Sequence, residues 1–266
     1  MQTTNTVSTH LRLPTLPAWA TNLLWTATGI GLLLLIWTLI ALKLDNAVLL
    51  PTPAAMFVGL GKLLQDGSLL KDVLASLQRV FVGFLIAASI GVPLAMLLAH
   101  YVILRRIVLP VINIIRPIPP IAWIPIAILW FGIGNKPSYF ITAIAAFFPV
   151  FINSFFGGMS VDDHHVNAAK CLGAKKASLV LLILFPSALP MIWTGLKIGL
   201  GQSWMAVVTA ELIAAQSGLG YMIQVSRLNL ETAHVLVGMV TIGVLGALMT
   251  LALGWVERFV LPWKQK

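Results

Sequence analysis

Long apolar stretches alternate with short polar ones from end to end of this chain, and the alternation predicts its elements. Residues 23–42 carry no charge over 20 positions, enough at about 1.5 Å per residue to cross the roughly 30 Å hydrocarbon core of a bilayer. Comparable runs predict further spans at about 80–99, 107–131, 138–159, 187–213 and 233–256. The pattern therefore reads as an all-α polytopic membrane protein with about six transmembrane helices. A secretory leader has an apolar core of about 7–15 residues followed by a small-residue cleavage site. The first run is longer and ends in Ala41-Leu42-Lys43, so it is expected to be retained. The expected layout is a cytoplasmic N-terminal segment (1–22), a first transmembrane helix (23–42) and an external segment (43–79). A membrane core (80–258) with a polar connector at 161–180 and a cytoplasmic tail (259–266) complete it.

Composition excludes a soluble globule. Of the 266 residues, 59% are hydrophobic and 9% charged, against about 25% charged in soluble domains. The net charge of +9 raises nucleic acid as a partner, but the basic residues form no patch interleaved with aromatics. They sit in loops, where lysine and arginine set orientation. On the side of the termini are Arg12, Arg105, Arg106, Lys170, Lys175, Lys176, Arg258, Lys264 and Lys266, nine in all. The other side has Lys43, Lys62, Lys71, Arg79, Lys136 and Arg227, six, four of them in the one long segment 43–79. The excess predicts both termini and the 161–180 connector in the cytoplasm. The single cysteine, Cys171, rules out an internal disulfide framework.

Two stretches depart from a plain span. In the third, Pro110, Pro117, Pro119, Pro120 and Pro125 fall within 25 residues. Proline removes a backbone donor and bends a helix, so carbonyls are left free inside the membrane. That is tolerable where the backbone is packed in protein or lines a cavity, and the stretch is a pointer to a permeation path. The external segment has Met56, Leu60, Leu63 and Leu64 on one face, after Pro51 and Pro53, as an interfacial helix would.

The connector Val161–Pro190 reads VDDHHVNAAKCLGAKKASLVLLILFPSALP. Asn167-Ala168-Ala169, three residues, Gly173, nine residues, then Ile183-Leu184-Phe185-Pro186 resembles the signature of ABC-importer permeases: Glu-Ala-Ala, three residues, Gly, nine residues, Ile-x-Leu-Pro. Asn167 stands where that family usually has Glu. The stretch Arg116–Pro137, RPIPPIAWIPIAILWFGIGNKP, resembles the permeases for sulfonates, taurine, nitrate and bicarbonate, and Glu211–Gly220 resembles a further stretch of the same proteins. The resemblance implies the type I importer permease fold in the inner membrane, working as a homodimer. Two ATPase subunits would bind ATP and Mg outside this chain, and a substrate-binding protein would deliver a small anion. It assigns ATPase coupling to Asp163, Asn167, Ala168, Ala169, Gly173 and Ala174. The translocation pathway would involve Arg116, Pro119, Trp123, Trp130, Gln202, Trp204 and Glu211.

Read without the resemblance, these residues keep alternatives. Arg116 or Lys197 helps an anion across, or they snorkel to the surface, or they pair with Glu211. The tryptophans line a path or anchor helices. Gly195 and Gly199 form a small-residue face for helix packing. No Gly-x4-Gly-Lys-Ser/Thr loop occurs, so ATP hydrolysis by that route belongs to another subunit. His164 and His165 are neighbours, pointing about 100° apart on a helix, unlike an i, i+4 metal pair. An ATP-independent carrier of a small anion is the other transport reading, although it would ordinarily show internal repeats. A membrane enzyme would need a cluster of nucleophile, base or metal ligands, which the sequence does not gather.

Overall fold

The computed structural model describes residues 18–161, 164, 168–169, 171–174 and 176–265. The elements are α1 (Ala18–Leu44), α2 (Pro53–Gln65), α3 (Ser68–His100), α4 (Val102–Ile115), a 3-10 turn (Pro120–Trp123), α5 (Ile124–Phe131) and α6 (Asn135–Met159). After the connector come a helical turn (Lys176–Leu179), a π-helical turn (Val180–Leu184), α7 (Phe185–Ala214), α8 (Leu219–Leu228) and α9 (Thr232–Val260). Five of these helices are long and apolar enough to cross a membrane, six if the bent α4–α5 pair is counted as one span. The sequence expectation of an all-α polytopic membrane protein with about six spans therefore agrees with the five to six long apolar helices among the described residues.

The chain divides into two compact units, residues 1–55 and 56–266. In the first, α1 turns Leu32, Leu33, Leu35 and Leu39 outward, as a helix facing lipid does. It ends at Asp45, which takes φ 43°. Asn46 Oδ1 then accepts the amide of Val48 at 2.9 Å, an Asx turn that competes with further helix. Trp37 donates its indole N–H to the Pro51 carbonyl at 3.0 Å and folds the following segment back along the helix.

In the second unit α3, α6 and α7 form the core. Lipid tails give apolar helices no reason to prefer one another, so close approach of small residues decides which pairs form. Gly83 of α3 lies against Thr142 of α6. Gly195 and Gly199 of α7 press on the α6 backbone: a Cβ at Gly199 would sit 2.7 Å from Val150 and 3.2 Å from the Ala146 carbonyl. Ser203 Oγ on α7 donates to the Thr142 carbonyl at 3.1 Å and ties the same crossing. The small-residue face at 195–199 is thus a packing surface.

Two boundaries differ from the sequence reading. Residues 68–79 are not loop: α3 starts at Ser68 and runs 33 residues, about 50 Å at 1.5 Å per residue. Nothing between Ser68 and Pro93 breaks a helix, so the span continues out of the apolar layer and carries Asp72, Ser76 and Arg79 on one face. The third span is two pieces, α4 and the 3-10/α5 piece, bent by 91°. Pro117 and Pro120 deprive the carbonyls of Asn113 and Arg116 of their i+4 donors, and the chain turns there. Pro186 does not interrupt the chain: the helix runs on from the π-helical turn Val180–Leu184 into α7, and the wider turn just before the proline accommodates a residue without an amide N–H.

Candidate translocation groove and coupling segment

The 91° corner opens a groove against α6 and α7. Two adjoining cavities make it. One, of about 260 Å3, is lined by Arg116, Pro119, Pro120, Ala145, Pro149 and Gln202 among others. The second, of about 230 Å3, includes Pro120, Ile121, Gln202, Met205 and Thr209. Pro120 and Gln202 border both. Along α7, Ile198, Gln202, Met205 and Thr209 follow one another at helical spacing and form one wall. Ala145 and Pro149 lie midway along α6, and Ile198 and Gln202 midway along α7, so Arg116 sits at about half the depth of the bundle. Its side chain is exposed. Among the described residues the ion pairs are Arg79–Glu211, Lys197–Glu257 and His234–Glu231, so none of the described carboxylates neutralises Arg116.

The remaining sequence candidates separate from this groove. Trp204 is buried between α7 and α9, donating Nε1–H to the Ile242 carbonyl at 3.0 Å and resting on Gly246. Trp123 and Trp130 belong to an aromatic group around Phe140, with centroids 6.5 and 5.8 Å away. Lys197 pairs with Glu257 of α9 and is turned away from the groove, and neither it nor Arg116 reaches Glu211.

Glu211 instead anchors a buried polar cluster that the sequence reading missed. Arg79, counted there as a loop cation, is 2% exposed and Glu211 1%. All five guanidinium N–H groups are used. Nη1 donates to Glu211 Oε1 and to the Ser217 carbonyl, each at 2.6 Å. Nη2 donates to Asn135 Oδ1 at 2.6 Å and Ser217 Oγ at 2.7 Å, and Nε to Asn135 Oδ1 at 3.1 Å. Glu211 also accepts from Ser76 Oγ at 2.8 Å and from the Gly220 amide at 3.0 Å. The amide of Gly218 donates to Asp72 Oδ1 at 2.8 Å, and that of Leu219 to Ser76 Oγ at 2.9 Å. Three consecutive amides at the start of α8 are thereby capped from α3 and α7, two of them by carboxylates, which suit the positive end of the helix dipole. Gly218 takes φ 105°, and a Cβ there would strike Glu211 and lie 2.6 Å from Arg79 Nη1. The signal available in the sequence was the 72/76/79 helical spacing opposite an acid that needed a partner.

At the other end of α6 lies the connector. Asp163 and Asn167 fall outside the described residues. Ala168 and Ala169 are helical. The Ala174 amide donates to the Ala169 carbonyl at 3.0 Å, and Gly173 takes φ 79°. That is a Schellman cap, in which a left-handed residue ends the helix and the next amide reaches back to satisfy a terminal carbonyl. The glycine of the spacing pattern is therefore the helix terminator. Leu172, beside it, is 89% exposed.

Comparisons with known proteins agree with this architecture. Residues 91–265 match the family described as "binding-protein-dependent transport system inner membrane component". A probable ABC transporter permease protein of Brucella abortus (strain 2308) is 39% identical over 245 residues, covering 92% of this chain and 96% of that protein. The taurine transport system permease protein TauC of Escherichia coli K12 is 36% identical over 235 residues, covering 85% and 84%. An inward-facing structure of the MetNI methionine ABC transporter shares the fold, with a TM-score of 0.63 at 22% identity over 71% of this chain and 94% of that one. The chain belongs to the family of transmembrane permease subunits of ABC importers. It is a multi-pass inner-membrane protein that works with a separate ATPase, and the carrier reading is set aside.

Proposed function

We infer that this permease moves a small oxyanion of the sulfonate, taurine, nitrate or bicarbonate type. The observation that carries the reading is Arg116, a cation exposed to a groove halfway through the bundle with no carboxylate of the described residues paired to it. A charge at that depth is costly unless it serves the path it lines, and a fixed positive charge attracts an anion most strongly where water is scarce. Gln202 and Thr209 add uncharged polar groups on the α7 side of the groove. TauC, among the relatives, is named for taurine, a sulfonate. Two copies facing one another would close the two grooves into one passage, with ATPase subunits under the connectors and a binding protein at the opposite end. Both termini lie in the cytoplasm on the charge count. ATP binding draws the connectors together and swings the bundles from inward- to outward-facing, and hydrolysis resets them.

The test is uptake by proteoliposomes containing this chain, its ATPase and its binding protein, with labelled taurine and nitrate as probes. Arg116→Met is expected to lower uptake by at least about tenfold, with Arg116→Lys retaining part of it. Unchanged uptake in Arg116→Met overturns the oxyanion reading, and uptake of neither probe by wild type overturns its taurine and nitrate members.

A further inference from the structure

The Arg79–Glu211 cluster lies at the end of α6 and α7 away from the connector. Asn135 opens α6, and the connector follows its last residue, Met159. Glu211 is in the last turn of α7, whose first turns follow the connector. Four helices and one loop converge on the cluster: α3 through Asp72, Ser76 and Arg79, α6 through Asn135, α7 through Glu211, and the loop and α8 through residues 217–220. Ser76, Arg79 and Glu211 are at most 2% exposed. Separating these elements would strand a guanidinium, a carboxylate and three backbone amides without partners, each costly to leave unpaired in a dry site. Two glycines seal the arrangement. A Cβ at Gly218 would collide with the ion pair, and one at Gly220 would sit 2.6 Å from the Val208 carbonyl. The cluster has no slack that would let α8 slide while the bonds persist.

We propose that Arg79 and Glu211 are positioning residues for transport: they lock α8 onto α3, α6 and α7, so that these helices move as one body throughout the cycle. A displacement that enters at the connector then reaches α8 at the far end without loss. The cluster acts through α8 and touches no substrate. This rests on the reading that the connector takes up the ATPase stroke.

Distances between spin labels in the reconstituted complex with its ATPase test it. Nitroxides are attached through a keto amino acid at Leu74 of α3 and Leu228 of α8, 58% and 69% exposed, which leaves Cys171 untouched. Dilution with unlabelled copies isolates the pair within one chain, and Leu228 alone reports the distance between copies. Between the nucleotide-free and vanadate-trapped states, the Leu74–Leu228 distance is expected to change by less than about 2 Å while the Leu228–Leu228 distance changes by more. In Arg79→Lys, which keeps the charge but offers three donors in place of five, the Leu74–Leu228 distribution is expected to broaden. Anion transported per ATP hydrolysed is expected to fall about tenfold with hydrolysis retained. A loss of fold alone would remove both activities together. A Leu74–Leu228 shift above about 2 Å in wild type, or full transport per ATP in Arg79→Lys, overturns the proposal. Failure of the chain to bind an ATPase at all would instead overturn the coupling reading beneath it.

Discussion

Gly83 of α3 faces Thr142 of α6 so closely that a methyl group at position 83 would overlap the threonine hydroxyl and lie 2.6 Å from its Cβ. Thr142 is held in place, because its hydroxyl donates to the Ser138 carbonyl at 2.7 Å and its own carbonyl accepts from Ser203. It cannot yield. Gly83→Ala is expected to destabilise the chain by about 1–3 kcal/mol, the ordinary cost of overpacking. Gly91, on the same helix, has its nearest neighbours at 3.4 and 3.5 Å, so Gly91→Ala is expected to be neutral or to stabilise by about 0.5–1 kcal/mol. Thermal unfolding of the two purified variants, followed by tryptophan fluorescence, checks the contrast. Equal midpoints would mean that α3 and α6 do not cross as described.

The buried cluster is directional, and an exchange of its charges should not restore it. Removing one partner of a buried pair costs about 3–5 kcal/mol, so Glu211→Gln and Arg79→Ala are each expected to lower the unfolding midpoint sharply. In the double variant Arg79→Glu/Glu211→Arg the charges again oppose one another, but the Gly220 amide would then face a cation and the Ser217 carbonyl an anion. No rescue is expected. A double variant with wild-type stability would reduce the cluster to a simple ion pair.

At Gly173 the left-handed conformation sets which residues are allowed. Gly173→Asn should fit, since asparagine tolerates this region, whereas Gly173→Val should cost at least about 1–2 kcal/mol locally and misdirect the chain that follows. Co-purification of the ATPase with each variant, together with hydrolysis stimulated by loaded binding protein, is the measurement. Asparagine is expected to retain both and valine to lose both. A valine variant that couples normally would separate the helix terminator from coupling.

Lys197 gives a control for Arg116. Its pair with Glu257 is about one-third exposed on the lysine side, where an ion pair contributes at most about 1 kcal/mol. The double variant Lys197→Met/Glu257→Met should therefore keep anion uptake within about twofold of wild type. A large loss of uptake would place Lys197 on the path after all.

The six spans and the proline corner were legible because hydropathy and missing N–H groups act locally. So was the role of Gly195 and Gly199 in packing. The cluster was not. Arg79 lies beyond the apolar run of its own helix, and nothing within a few residues of it shows that a loop 138 positions later will bury it. Charge counting treats such an arginine as a loop cation, since burial is decided by partners distant in sequence. The tryptophans were ambiguous for a related reason. An indole at Trp204 suits a path or a helix seam equally well, and the sequence does not show that Gly246 of α9 will lie against it.

The corner at residues 116–120 also bears on how the protein is built. α4 has 14 residues, about 21 Å of helix, too short to cross the roughly 30 Å hydrocarbon layer alone. The two pieces together satisfy the length that an inserting segment requires. The walls that shelter the bent backbone, α6 and α7, come later in the chain. During synthesis the arginine and the freed carbonyls enter the membrane before the helices that screen them, so the groove is completed only when α7 arrives.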